Sequence, residues 1–146
     1  MTIVAHILKS KTDHSVYTIA PTASVFDAVK LLAEKNIGAL VVMGGEKIVG
    51  VITERDYARK MVIMARSSKD TSVRDIMTSP ALCVHPRMTS EECMALMTQK
   101  RVRHLPVLDT GKLIGVVSIG DLVKDTIADQ QFTIEQLEHY IAGERG

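Results

Sequence analysis

The chain has 146 residues, of which 46% are hydrophobic and 24% charged, and its formal net charge is +1. This composition is typical of a globular protein, and the length suits one ordinary domain or two small repeats that share a core. The near-zero charge and an aromatic content of 3% argue against nucleic-acid binding, which uses a basic face or stacking platforms. Neither a run long enough to cross a bilayer nor a leader pattern occurs, so we expect a cytoplasmic protein that does not associate with membranes.

The sequence offers little for a metal or redox site. Only two cysteines occur, Cys83 and Cys93, and we expect both to be reduced thiols packed in the core. The five histidines are far apart and lack the paired spacing of metal ligands, so we predict that no metal is required.

The first half of the chain, residues 16–65, has the pattern of a β-α-β-β-α unit. Val16 to Ile19 alternates like a short strand. Ser24 followed by Asp27 is the pattern of a helix N-cap, and helical apolar spacing then continues to about Asn36. The other predicted elements are a strand at 39–43, a Gly44-Gly45 turn, a strand at 47–53, and a helix at 54–65 with Tyr57, Met61 and Met64 on one face.

The second half repeats the first at a shift of 65 positions without a gap. The heptapeptide that begins at Gly50 and ends at Asp56 returns from Gly115 to Asp121. A polar stretch, 66–80, reads as a linker, and the second unit covers 81–128. Its predicted elements are a strand at 82–84, a helix at 89–100, strands at 104–108 and 113–118, and a helix from 119 to about 128. Because the identities fall on turn glycines, core strand positions and helix starts, we infer an internal duplication.

Two further segments flank the repeats. Residues 1–15 predict one helical turn followed by a loop. Residues 129–146 predict a separate amphipathic helix, with Thr133 as its N-cap, Gln136 three residues later and an apolar stripe. This helix either packs back on its own module or reaches a second chain.

Two such units are expected to pair about a pseudo-two-fold axis, because each exposes an apolar sheet face that its twin can cover. Pairing leaves two related clefts, each between a helix start of one repeat and the segment entering the middle strand of the other. Thr53 with Asp56, and Ser118 with Asp121, lie at these helix starts. A carboxylate there can bind a ribose cis-diol, and the amides and nearby basic residues can bind phosphate. The alternative is that both aspartates only cap helices.

These motifs resemble those of a tandem pair of cystathionine-β-synthase-type (CBS) domains, a Bateman module, over about residues 8 to 128. The motif Gly-h-x-Thr/Ser-x-x-Asp, with h apolar, occurs twice, and the segment Arg103-His104-Leu105-Pro106-Val107 resembles the second-repeat signature of that family. The resemblance implies an α/β (α+β) fold in which two β-α-β-β-α repeats pack as one pair. It also implies an adenosine ligand, AMP first, with ADP, ATP, NAD or S-adenosylmethionine as alternatives.

The resemblance further implies which residues form the two sites. Asp56 and Asp121 are expected to hold ribose hydroxyls. Thr53 and Ser118 are expected near ribose or phosphate, and Arg55, Arg103 and His104 near phosphate. The adenine set is Val16, Tyr17, Ile37, Gly38 and Ala39 in the Asp121 site and Ala81, Leu82, Val102 and Arg103 in the Asp56 site; Thr12, Val116 and Gly120 complete the predicted residues. Since Gly38 corresponds to Arg103, we predict unequal sites. The alternative is that neither residue binds a ligand: Arg55 is then a solvated surface charge and His104 a polar strand residue.

We therefore expect a stand-alone regulatory sensor, a homodimer that binds an adenine nucleotide and acts on an unidentified regulated protein. We do not expect an enzyme, since no nucleophile elbow, Walker loop or metalloprotease helix occurs. Two alternatives remain open: a small nucleotide-acting enzyme that uses Asp121 or His104, and a ligand-independent assembly module whose tail helix docks on another protein.

Overall fold

Two small β-sheets with helices packed on them make up the mixed α/β structure, a computed structural model that describes residues 2–145. The helices are α1 (Val4–Ser10), α2 (Val25–Lys35), α3 (Glu54–Tyr57), α4 (Ser90–Lys100) and α5 (Ile119–Arg145). The strands are β1 (Thr18–Ile19), β2 (Ala39–Gly44), β3 (Lys47–Thr53), β4 (His104–Asp109) and β5 (Lys112–Ser118). A π-helical turn, Ala58–Val62, continues α3, and a 3₁₀ turn covers Val73–Asp75.

The two sheets contain the same hairpin. Ala39 pairs with Thr53 in the first hairpin, and the equivalent residues His104 and Ser118 pair in the second. Both hairpins shift register at the same place, between residues 42 and 43 and between 107 and 108, which is the predicted offset of 65. The fold class inferred from the duplication is confirmed.

The strands that precede the hairpins are shorter than predicted. The first is reduced to β1, which runs parallel to β2. The strand predicted at 82–84 does not form; a single parallel bridge joins Val84 to Val107 in its place. Three apolar residues next to Pro86 are too few to extend the ladder beyond one pair of residues.

Helix caps follow the sequence closely. The Ser24 hydroxyl accepts a hydrogen bond from the Asp27 backbone N–H at 3.1 Å, as predicted. The C-cap of α2 is Asn36, and the C-cap of α4 is the equivalent Arg101; both residues adopt the left-handed conformation, with φ of 53° and 55°. These matching ends aim the following strands in the same way in both repeats.

The helix predicted at 54–65 ends earlier and changes character. After α3, the Ala58–Val62 turn has π geometry, and the Ile63 N–H donates to the Ala58 carbonyl at 3.3 Å. The wider turn rotates the following side chains around the helix axis. Met61 is therefore buried, whereas Met64 is 62% exposed and does not share the face predicted for it.

The N-terminal segment packs on the second repeat. α1 has two turns rather than one, and Val4 and Ile7 lie in the core that also contains Leu105 and Leu122. The Val4 N–H donates to the Met88 carbonyl at 2.8 Å. The same core holds the free Cys93, and burial raises the pKa of its thiol.

Half of the polar stretch 66–80 is built into the first repeat. Val73 and Ile76 are buried in the first core together with Leu40 and Ile52. Thr78 and Val51 exchange two backbone hydrogen bonds, of 2.8 and 3.0 Å. The segment leaving the first repeat is therefore held against β3 before it enters the second.

The C-terminal part of the chain forms one helix rather than two. α5 continues through Thr133, so the predicted cap there is wrong; its hydroxyl donates to the Asp129 carbonyl at 3.0 Å, the bond of a threonine inside a helix. Every residue from Ile127 to Gly143 is exposed, so this part of α5 buries no side chain in its own module; Asp129 only accepts a hydrogen bond from Thr2 at the surface. Within residues 2–145, no helix has the length and hydropathy to cross a membrane.

The packing of the 66–80 segment predicts a stability effect. Ile76→Ala should lower the free energy of unfolding by about 2 to 5 kcal/mol, because a side chain that is 1% exposed leaves a cavity in the first core. Ile63→Ala, at a side chain that is 74% exposed, should change it by less than about 0.5 kcal/mol. Urea denaturation measures both; equal effects would show that the segment is a passive linker.

Candidate functional site

A cleft of about 690 Å³ opens between the start of α3 in the first repeat and the chain that enters β4 in the second. This volume falls within the range of small-molecule sites in proteins. Half of the predicted site residues line it: Gly38, Thr53, Arg55, Asp56, Ala81, Leu82, Val102, Arg103 and His104. The structure therefore brings together both halves of the site predicted around Asp56, one from each repeat.

Asp56 is 7% exposed, and protein donors already occupy its carboxylate. Its Oδ2 accepts hydrogen bonds from the Thr53 N–H at 3.0 Å and the Thr53 hydroxyl at 3.1 Å. Its Oδ1 accepts the Thr78 hydroxyl at 3.0 Å and is 3.1 Å from the Lys60 Nζ. Three hydrogen bonds and one ion pair use the acceptor capacity of the carboxylate, so a ribose hydroxyl has to replace one of these partners; Thr78 and Lys60 are the two that do not belong to the helix cap.

Sequence reasoning missed both Lys60 and Thr78. The spacing of Asp56 and Lys60, four residues apart on a helix, is a recognisable ion-pair pattern and was a usable signal. Thr78 is 22 positions from Asp56 and reaches it only because its segment pairs with β3.

Cations dominate the lining of the Asp56 cleft. The basic side chains are Arg55, Arg59, Lys60, Lys100, Arg101 and Arg103, and the acidic ones are Glu54 and Asp56. The Arg55 Nη1 donates to the Arg101 carbonyl at 3.0 Å, which ties the two repeats together across the cleft. An excess of positive charge in a recess of this size suits a ligand that carries phosphate groups.

The second predicted acid, Asp121, has a similar cap but a different counter-ion. Its Oδ2 accepts the Ser118 N–H at 2.9 Å and is 3.1 Å from the Lys11 Nζ. Lys11 also donates to the Val116 carbonyl at 2.9 Å. The predicted residues Val116, Ser118 and Asp121 are thus together, and Gly120 follows Ser118 at the start of α5. The predicted residue Thr12 is exposed and follows Lys11 in the chain. Lys11 itself was not predicted from the sequence.

The remaining predicted residues, Val16, Tyr17, Ile37 and Ala39, do not line the Asp56 cleft. Tyr17 and Ile37 pack against the first core, and Ala39 begins β2. The Tyr17 hydroxyl donates to Asp13 Oδ2 at 2.8 Å, and the Lys35 Nζ lies 5.4 Å from the centre of the Tyr17 ring. Val16 is half-buried just before β1.

Gly38 and His104 meet where the two repeats join. A Cβ atom at Gly38 would be 3.1 Å from the His104 Nε2, so only glycine allows this approach without a shift. Burial lowers the pKa of His104 below its ordinary value of 6.5; the charges of Asp121 and Glu54 oppose this, whereas Lys11 and Arg103 reinforce it. The charges that act on the imidazole therefore include an acid at the start of α3, Glu54, and one at the start of α5, Asp121. Gly38, predicted for the Asp121 site, lines the Asp56 cleft.

Residues 4–63 and 73–126 match the family model of the CBS domain. The chain belongs to the CBS-domain family. It is similar to the CBS domain-containing protein CBSX3, mitochondrial, of Arabidopsis thaliana, with 41% identity over 97% of this chain and 73% of that protein. The name of that relative gives its compartment, while the cytoplasmic location of this CBS protein stays a prediction.

Solved structures give the same assignment. A candidate signal-transduction protein with CBS domains from Burkholderia ambifaria is 60% identical, with a TM-score of 0.86 over 91% of this chain and 99% of that one. The CBS-domain structure NE2398 is 52% identical, with a TM-score of 0.82 over 86% of this chain and 98% of that one. Among the described residues of this chain, no group of three or more His, Cys, Asp or Glu side chains could hold a metal ion.

The buried imidazole predicts a pH dependence of stability. Because the pKa of His104 is lower in the folded chain, the unfolded chain binds more protons below about pH 6.5. The free energy of unfolding should fall as the pH drops from about 7.5 to about 5.5, and it should fall less in His104→Gln. Urea denaturation across this range measures the difference. His14→Gln, at an exposed residue, is the control and should follow the wild type; a His104→Gln curve parallel to the wild type would contradict the prediction.

Proposed function

We propose that this CBS pair is a stand-alone regulatory module that binds adenine nucleotides at Asp56 and at Asp121. The observation that carries the proposal is the Asp56 cleft, in which a carboxylate lies beside apolar lining and a cluster of cations. In such a site Asp56 holds the ribose hydroxyls. The apolar lining at Leu82 and Val102 receives the adenine, and the Arg55 and Arg103 guanidinium groups bind phosphate oxygens.

The two acids should prefer different nucleotides. At equivalent positions, Arg55 corresponds to Gly120, and Lys60 corresponds to Asp125. Asp125 has a buried carboxylate oxygen without a hydrogen-bond partner, whereas Lys60 supplies a positive charge. Phosphate groups are attracted by Lys60 in the first repeat and repelled by Asp125 in the second. We assign the more highly phosphorylated nucleotide, ATP or ADP, to the Asp56 cleft, and AMP or the adenosine end of NAD to Asp121.

Binding supplies a signal only if it changes the protein. A ribose at Asp56 displaces Thr78 or Lys60. At Asp121, the phosphate of the nucleotide draws Lys11, the cation beside that acid, away from the carboxylate. Thr78 lies in the 66–80 segment between the repeats, and Lys60 donates to the Ile76 carbonyl of that segment. Lys11 lies in the N-terminal segment that packs on the second repeat. The nucleotide thus favours one arrangement of the module over another, and a regulated protein that recognises that arrangement reads the ligand. We propose a homodimer as the assembled form.

Calorimetric titration of the full chain with AMP, ADP, ATP and NAD tests the proposed function. We expect two unequal binding steps. Asp56→Asn and Asp121→Asn should each weaken one of them by about tenfold or more, the worth of one or two charge-assisted hydrogen bonds. Two identical sites would overturn the assignment of ligands, and absence of binding by all four nucleotides would overturn the proposal itself. Steady turnover of ATP or NAD that Asp121→Ala abolishes would instead show a small enzyme.

The cationic lining gives a matched comparison between the repeats. Lys100→Gln should weaken ATP binding at the Asp56 cleft by about three- to tenfold and AMP binding less, because it removes a charge near the distal phosphates. Lys35→Gln changes the equivalent lysine of the other repeat, which does not line this cleft, and should leave ATP binding there unchanged. Titrations at two salt concentrations separate screening from local contacts; equal losses in both variants would contradict the assignment.

A further inference from the structure

The exposed part of α5 buries no side chain against the rest of its own chain. From Ile127 to Gly143 every residue is exposed, and the segment follows a first turn that is anchored by the buried Leu122. A helical segment of this length gains little stability from backbone hydrogen bonds alone, and its stability in proteins comes chiefly from packing of an apolar face. The apolar face of α5 therefore needs a partner outside its own module.

That face has the spacing of a coiled coil. Ile127, Ile134 and Ile141 are seven residues apart, and Val123 and Leu137 alternate with them at spacings of three and four; Gln130 is the single polar residue in the row. These five apolar side chains are between 47% and 57% exposed. We call this row, residues 123, 127, 130, 134, 137 and 141, the α5 seam. A period of 3.5 residues is the one that keeps a seam facing a second helix along its whole length.

We propose that the α5 seam pairs in parallel with the α5 seam of a second copy of this chain. The a positions of the seam are all isoleucine, Ile127, Ile134 and Ile141, and β-branched residues at a with leucine at d, as at Leu137, favour two parallel strands. Val123 and Gln130 occupy the other two d positions. A seam of this period also needs a helix of the same period opposite it, and a second copy supplies one. This inference does not rest on the nucleotide sites proposed above.

The charges beside the seam permit this self-pairing. The positions that flank it are Lys124, Thr126, Gln131, Thr133, Glu138 and Tyr140, so four of the six are uncharged. In a parallel pair Glu138 faces Thr133 of the second copy rather than another acid. Asp129 and Glu135 lie on the outer side of the helix, away from the seam. Two copies therefore meet without the repulsion that their acidic outer faces would produce.

The size of the contact sets its strength. From Val123 to Ile141 the seam is roughly 27 Å long, and pairing along it buries on the order of 1,000 Å² in total. This is near the lower limit of specific protein interfaces, so the pair should dissociate at accessible concentrations. A single charged residue in the seam is then enough to disrupt it.

Sedimentation equilibrium of the full chain tests the proposal. We expect a dimer, and Ile134→Glu should raise its dissociation constant tenfold or more. Phe132→Glu is the matched control: Phe132 is 63% exposed on the side of α5 opposite Ile134, so this change removes as much apolar surface and adds the same charge outside the seam. Circular dichroism establishes that both variants fold. A monomeric wild type would show that another protein covers the seam, and a dimer that Ile134→Glu leaves unchanged, or that Phe132→Glu weakens equally, would overturn the proposal.

Cysteine cross-linking tests the orientation independently of the affinity. In a parallel pair residue 134 lies opposite itself, at a distance that a disulfide can span. In a Cys83→Ser background, Ile134→Cys should give a covalent dimer under mild oxidation, and Phe132→Cys should not. Absence of the Ile134→Cys cross-link, or equal cross-linking of both variants, would overturn the parallel arrangement.

Discussion

The structure depends on the close approach of Gly38 and His104, because this contact fixes how the two repeats face each other. With the imidazole against the Gly38 backbone, the chain entering β2 and the chain entering β4 lie side by side. Each of these chains also supports a helix start: the Gly38 carbonyl accepts the Glu54 N–H at 3.1 Å, and the Arg103 carbonyl accepts the Ile119 N–H at 2.9 Å. One contact thus positions α3 and α5 together, and with them the two acids.

Duplication preserved the backbone of each site and changed its electrostatics. Thr53 with Asp56, and Ser118 with Asp121, form the same local cap, yet the lysine that neutralises each acid comes from a different place. Lys60 is on the same helical segment as Asp56, whereas Lys11 follows α1, more than a hundred residues before Asp121. Because the caps keep the helix starts in position, charges around them can diverge without cost to the fold. The family architecture is therefore compatible with two different ligands in one chain.

What the sequence could predict follows from the range of the interactions. The hairpins, the Ser24 cap and the end of α2 depend on residues within a few positions of one another, and all were predicted. The repeat also allowed both halves of the Asp56 cleft to be assigned. Lys11 and Thr78 were missed because their contacts span 105 and 22 positions and depend on how α1 and the 66–80 segment pack. Thr133 was misread because a threonine with glutamine three residues later forms a cap only if the preceding helix stops, and nothing in Ile127–Phe132 stops it.

α5 connects the two proposals physically. Asp121 lies in its first turn and the seam occupies the rest, so one element carries the proposed ligand-binding acid at one end and the proposed docking face at the other. The N-terminal segment contacts the same helix: the hydroxyl of Thr2, just before α1, donates to Asp129 Oδ2 at 3.1 Å, and Lys11, just after α1, pairs with Asp121. A ligand whose phosphate draws Lys11 from Asp121 loosens one of the contacts that tie the N-terminal segment to α5; the core that Val4 and Ile7 share with Leu122 remains. Nucleotide binding is then coupled to dimerisation if α1 holds the paired form of α5 more or less firmly than the unpaired form. By linkage the coupling is reciprocal, so dimerisation changes the nucleotide affinity by the same factor as the nucleotide changes the dimer affinity.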